Sequence, residues 1–110
     1  MIKIRAFGAV GNARAYTDRP LVLSQYVKNY GGETGVVQGD CFFVDPNGRR
    51  VECQGMGEGG VTVEVPGGAV RFMAFQCQPN MKGQWEAHVI MDGMYYESDS
   101  VKTYWIPVVR

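Results

Sequence analysis

Trp85, Ala87, Val89 and Met91 alternate with Gln84, Glu86, His88 and Ile90. Successive side chains on an extended chain point to opposite faces, so the first four share one side. That side is wholly apolar and the other mostly polar, which is the pattern of a half-buried strand. Asp92-Gly93 follows at once, and this dipeptide suits a type I′ hairpin turn, which would set His88 opposite Glu97. Trp85 is the largest apolar anchor that such a strand offers a small core. A chain organised around this strand is expected to be all-β, with the indole shut between two stacked layers.

A second hairpin is predicted around Asp45-Pro46-Asn47-Gly48, joining Gly35–Val44 to Arg49–Gln54. Pro at the second turn position and Gly at the fourth favour a type I turn with Gly48 in a bulge. The register then pairs Asp45 with Arg49, Val44 with Arg50, Phe43 with Val51, Phe42 with Glu52 and Cys41 with Cys53. One face becomes Cys41, Phe43, Val51 and Cys53, all apolar. A slip of one residue would send those side chains to the wrong face, which selects the bulged register.

The remaining segments read as short strands between turn signals. Ile2–Phe7 is a first candidate, with Ile2, Ile4 and Ala6 on one face and Gly8–Asn12 interrupting it. Ala13–Thr17 is a short extended piece, and Asp18-Arg19-Pro20 marks a turn. Leu21–Tyr30 fits a bent strand or a short helix, and its Val, Tyr and Ser content favours the strand. Val61–Val65 alternates. Val70–Cys77 is apolar on both faces, as in a central or interface strand. Ser98–Ser100 is a polar break, and Val101–Val109 resumes as a last strand that Pro107 places at an edge. Eight or nine strands with turns every 8–12 residues form an antiparallel sandwich or barrel. We expect the sandwich, as one domain over residues 1–110, with 1–30 as an extended arm or edge strands.

Lys plus Arg and Asp plus Glu both number 11, so the formal charge is zero. General binding to nucleic acid or anionic membranes feeds on clustered positive charge and is not expected. The amino terminus alternates charged and apolar residues and lacks the apolar centre of a signal peptide, so a cytoplasmic or virion-associated location is expected.

The run Gly83-Gln84-Trp85-Glu86-Ala87-His88-Val89, followed by Asp92-Gly93 and preceded by the Asp45–Gly48 turn, resembles the late strands of immunoglobulin-like modules of bacteria and phages. The resemblance spans about residues 36–106. It implies an immunoglobulin-like sandwich acting as a spacer, surface decoration or adhesive unit, with no catalytic residues. The cysteines depart from the antibody-type spacing that joins two sheets around a Trp.

Candidate chemistry is sparse. Three cysteines allow no complete pairing, and Cys41 and Cys53 are either buried thiols or a cross-strand disulfide. One histidine and no C-x-x-C spacing argue against zinc, so no metal and no cofactor is expected. A hydrolase built on Cys77 or a serine with His88 would need both groups together and steadied by a third. Glu97, Asp99 and Asp92 lack the ordered spacing of a calcium loop and read as a solvated acidic loop. Gly55–Gly60 has no Lys-Ser/Thr ending and reads as a turn, not a phosphate loop.

Aromatic residues are the informative remainder. Tyr95, Tyr104 and Trp105 are candidates for an interface or for stacking on a sugar, with Tyr96, Tyr16, Tyr26 and Tyr30 nearby in type. The Met-rich group Met73, Met81, Met91 and Met94, together with Val70–Cys77, suggests apolar surface covered by copies or partners. The expected function is therefore a structural or assembly module and not an enzyme, such as a phage capsid decoration or tail-associated protein. A carbohydrate-binding module is the alternative.

Overall fold

The computed structural model describes residues 1–11, 15–52, 54–55 and 61–109. Among these residues nine strands form two antiparallel sheets: β1 (Ile4–Gly11), β2 (Leu21–Asn29), β3 (Gly35–Val44), β4 (Arg50–Glu52), β5 (Gln54–Gly55), β6 (Val61–Val65), β7 (Val70–Cys77), β8 (Gly83–Asp92) and β9 (Val101–Val108). One sheet runs β1-β2-β7-β5. The other runs β4-β3-β8-β9, with β6 also pairing to β3. The architecture is an immunoglobulin-like β-sandwich.

Alternation places the core. Trp85, Ala87, Val89 and Met91 of β8 are buried, facing Leu21, Leu23, Val27, Met73 and Phe75 of the four-stranded sheet in one cluster. Trp85 has no exposed surface, and its indole N–H donates to the Met81 carbonyl at 3.0 Å. Gly39 sits where the sheets approach closely: a Cβ there would collide with the Met73 sulfur. All four methionines of the expected surface group are in or against this core, so Val70, Phe72 and the half-buried Ala74 are what that apolar set leaves on the outer face.

The β3–β4 hairpin has the predicted register, Val44 opposite Arg50, Phe43 opposite Val51 and Phe42 opposite Glu52. Asp45 N–H donates to Arg49 O and Gly48 N–H to Asp45 O, both at 2.9 Å. Gly48 holds a φ of +83°, which an L side chain rarely adopts. The Asp45 carboxylate accepts from the Asn47 and Arg49 amides, which closes the turn locally. The expected Cys41–Cys53 pair lies outside the described residues at Cys53, as do residues 56–60 of the glycine loop.

Two expectations are corrected. β1 does not stop at Phe7. It continues to Gly11 because a bulge between Ala6 and Gly8 absorbs one residue and keeps the pairing with β2. Asp92-Gly93 does not form a tight hairpin. Gly93 does turn at a φ of +97°, but residues 93–100 bridge β8 to β9, and the Met91 N–H closes the loop on Ser100 O at 2.7 Å. The cause is tertiary: Tyr95 N–H donates to Ile4 O of the opposite sheet, and a 3₁₀ turn at Glu97–Asp99 carries Asp99 inward. His88 consequently lies opposite Thr103, not Glu97.

The first thirty residues supply the sheet's outer strand β1 and its interior strand β2. β9 forms the other sheet's edge, as Pro107 suggested, and Ala15 pairs alongside its end at Val108.

Candidate interaction surfaces

Two outward faces and one cleft carry the remaining side chains. On the five-stranded sheet, the registers align Glu52, Phe42, His88 and Thr103 in one row, and Arg50, Val44, Glu86 and Trp105 in the next. Phe42 stacks on His88 at 4.7 Å between centroids and 5° between planes. The Arg50 guanidinium lies 4.0 Å from the centre of the Phe42 ring, and its Nε donates to Glu52. The Glu86 carboxylate sits 3.0 Å from His88 Nε2 and can only accept, so Nε2 carries a proton. The Thr103 hydroxyl lies 3.3 Å from the other ring nitrogen, Nδ1. The polar groups of this row are thus engaged with one another within the sheet. Trp105 stands beside it, 59% exposed.

The four-stranded sheet turns out a more apolar face. Gly8, Tyr26 and Phe72 align across β1, β2 and β7. The Tyr26 and Phe72 rings are 5.6 Å apart. Phe7 is 56% exposed, Val10 62% and Phe72 55%. Phe7, Val10 and Tyr26 line a shallow groove of about 280 Å³. Lys28 bridges its margin, with Nζ 5.8 Å from the Phe7 ring centre.

The residues singled out from sequence are not brought together. Tyr104 points inward with Ile106 and Val108, packs on the core and donates its hydroxyl to Gln25, so it does not stand open as a stacking platform. Trp105 is on the outer face, and Tyr95 belongs to the 93–100 connection, not a strand. Cys77 faces the interior of one sheet while His88 faces outward from the other, so the structure does not assemble a Cys–His pair. Asp99 is not solvated. It is buried and accepts from Arg5 Nε at 3.0 Å and from the Ala6 amide at 3.3 Å, with Lys102 Nζ at 3.4 Å. Burial pushes the Asp99 carboxyl up, but the bonds from Arg5 and Lys102 outweigh it and hold the group below the usual carboxylate range.

Sequence reasoning missed the grouping of Tyr95 and Tyr96 with Lys3, Arg5 and Tyr30 in a cleft at one end of the sandwich. These residues come from three segments far apart in the chain, so no local pattern marks them. Among the described residues, no three His, Cys, Asp or Glu side chains are grouped to hold a metal. No helix among them is long and apolar enough to cross a membrane.

No family model matches this chain, and no curated protein does. Solved structures do. A CARDB domain from Pyrococcus furiosus, crystallised in complex with di-metal ions, is similar with a TM-score of 0.62 at 17% identity, covering 99% of this chain and 88% of that one. A β-glucosidase from Listeria innocua, solved with isofagomine, gives a TM-score of 0.62 at 13% identity, but the match spans only 16% of the enzyme. An alkylpurine DNA glycosylase from Pseudomonas fluorescens, bound to DNA containing an abasic site analog, gives 0.61 at 9% identity over 31% of its chain. Identities this low speak to architecture alone, and they support an immunoglobulin-like sandwich.

Proposed function

We propose that this chain is a non-catalytic assembly module that associates with a second copy of itself through the outer face of the β1-β2-β7-β5 sheet. The observation that carries the reading is the exposed group of Phe7, Val10 and Phe72 around the half-buried Tyr26 on one sheet face. Contiguous apolar surface of this kind on a small domain marks an interaction site. The formal charge of zero means that copies do not repel one another at neutral pH. Burying Phe7 and Phe72 against their symmetry mates would remove the largest exposed rings of this sheet from water.

The narrower setting is a phage virion, where a capsid decoration or tail-associated protein has this size and architecture. That step rests on analogy of fold. Absence of the chain from the protein content of purified particles would remove it.

Light scattering over a range of concentrations tests the association. The native chain is expected to show a mass above that of the monomer, and Phe72→Ser to return it to the monomer while the fold persists. Trp105→Ser, on the opposite sheet, should leave the mass unchanged. A monomeric native chain at every concentration, or equal effects from both variants, would overturn the reading.

A further inference from the structure

We infer that the cleft between the amino terminus and the β8–β9 connection binds an acidic sugar, a pyranose carrying one carboxylate. The cleft holds about 190 Å³ and is lined by Lys3, Arg5, Tyr30, Tyr95 and Tyr96, room for one small ring and not for a folded partner.

Its walls are fixed before any ligand arrives. Tyr30 N–H donates to Lys3 O at 2.8 Å, and Tyr95 N–H to Ile4 O at 2.7 Å, so three chain segments are tied together by backbone bonds. Arg5 is held by the buried Asp99 at 3.0 Å and lies 4.2 Å over the Tyr96 ring. Tyr95 and Tyr96 meet edge to face, with centroids 4.5 Å apart and planes at 81°. In that arrangement the two rings form a corner, and preorganisation of this kind lowers the ordering cost of binding.

The charge of the site is unbalanced. Arg5 and Lys102 share Asp99, whereas Lys3 reaches only the Tyr95 ring, at 5.9 Å, and Lys28 only the Phe7 and Tyr30 rings. Among the described residues, no carboxylate lies within ion-pair distance of Lys3 or Lys28. Lys3, in the cleft wall, and Lys28, at the back of the Tyr30 ring, thus leave positive charge without a partner beside a tyrosine-lined corner. Lysine ammonium groups recognise a carboxylate, aromatic faces take the C–H face of a sugar ring, and phenol hydroxyls bond ring hydroxyls. An acidic side chain of a peptide would satisfy the cations but leave the phenols and the ring face unused.

Amide and side-chain NMR at low salt, with D-glucuronate added to the full chain, tests this. Shifts are expected at residues 3–5, 30 and 95–96, weakening as salt rises. Lys3→Gln should lower the affinity about tenfold, as expected for the loss of one charge-assisted contact, and Tyr95→Ala should abolish the shifts. Both residues are exposed or half-exposed, so the solution mass and melting temperature of Lys3→Gln should match the native chain. D-glucose and acetate, which carry the ring without the charge and the charge without the ring, should each bind at least an order of magnitude more weakly. No shift with glucuronate, equal shifts with glucose or acetate, or tighter binding of the peptide Gly-Glu-Gly would overturn the inference.

Discussion

The hydroxyl of Tyr104, on β9, donates to the side-chain oxygen of Gln25, on β2, across the interior between the two sheets. Gln25 is fully buried, and its amide nitrogen donates to Gly8 O at 2.8 Å and Tyr26 O at 3.0 Å. The pair therefore links the edge of one sheet to the bulge of the other. Tyr104→Phe removes the donor and leaves a buried acceptor unsatisfied, at a cost of about 1–3 kcal/mol, measurable by urea unfolding.

Burial of the same phenol sets an alkaline limit. Burial raises the Tyr104 phenol above its ordinary value of 10.0, against a smaller lowering by the Gln25 bond. The folded state then holds its proton more tightly than the unfolded state, so the stabilisation is complete below about pH 10 and is lost as pH rises through the folded value. Unfolding free energy measured from pH 8 upward should fall more steeply for the native chain than for Tyr104→Phe.

Asp99 works in the opposite direction. Its folded carboxyl is lowered by Arg5 and Lys102 in spite of burial. The stabilisation is present above the ordinary carboxylate value of about 3.9 and is lost as pH falls through the folded one. Asp99→Asn should flatten the acid limb of stability against pH. It should also cost about 2 kcal/mol at pH 7, since an amide cannot accept from two cations and the Ala6 N–H as a carboxylate does.

Much of this architecture was legible because alternation is local. The inner set Trp85, Ala87, Val89 and Met91, the Asp45–Gly48 turn and the limits of Val61–Val65 and Val70–Cys77 all follow from residues adjacent in sequence. Tyr104-Trp105 was half legible: neighbours on a strand face opposite ways, and Ile106 and Val108 already mark which side is inward. The 93–100 connection was not legible, because its path depends on an Arg5–Asp99 bond between residues 94 positions apart. The tyrosine cleft was hidden for the same reason. It exists only where the amino terminus meets that connection.

Gly39 and Met73 test how tightly the layers meet. A methyl group at position 39 would overlap the Met73 sulfur, so something must move. Gly39→Ala should destabilise the fold by about 1–3 kcal/mol through overpacking. Because the obstruction is one flexible side chain, Met73→Ala should cost less in the Gly39→Ala background than in the native chain. A double-mutant cycle by thermal or urea unfolding reads this coupling, and additive losses would show that the two positions do not compete for the same space.

Asn29 makes the sharpest case for polar specification of the interior. It has no exposed surface. Its amide nitrogen donates to Glu33 O at 2.6 Å and to Val65 O at 3.0 Å, while its oxygen accepts from the Gly31 amide at 2.9 Å and the Lys3 amide at 3.2 Å. All four bonding positions are used, and they tie β2 to the turn after it, to β6 of the other sheet and to the amino terminus. Asn29→Asp preserves shape but turns two donors into acceptors facing carbonyl oxygens. An ionised carboxylate there would be buried among them, so the folded variant should keep its carboxyl protonated, above the unfolded value of about 3.9. Its stability should then be greatest below that pH and decline as pH rises toward 7, the reverse of the acid loss expected from Asp99. Urea unfolding of the variant and the native chain at pH 3.5 and pH 7 separates the two: a loss of stability relative to the native chain that is no larger at pH 7 than at pH 3.5 would mean that the Val65 and Glu33 carbonyls do not need the amide.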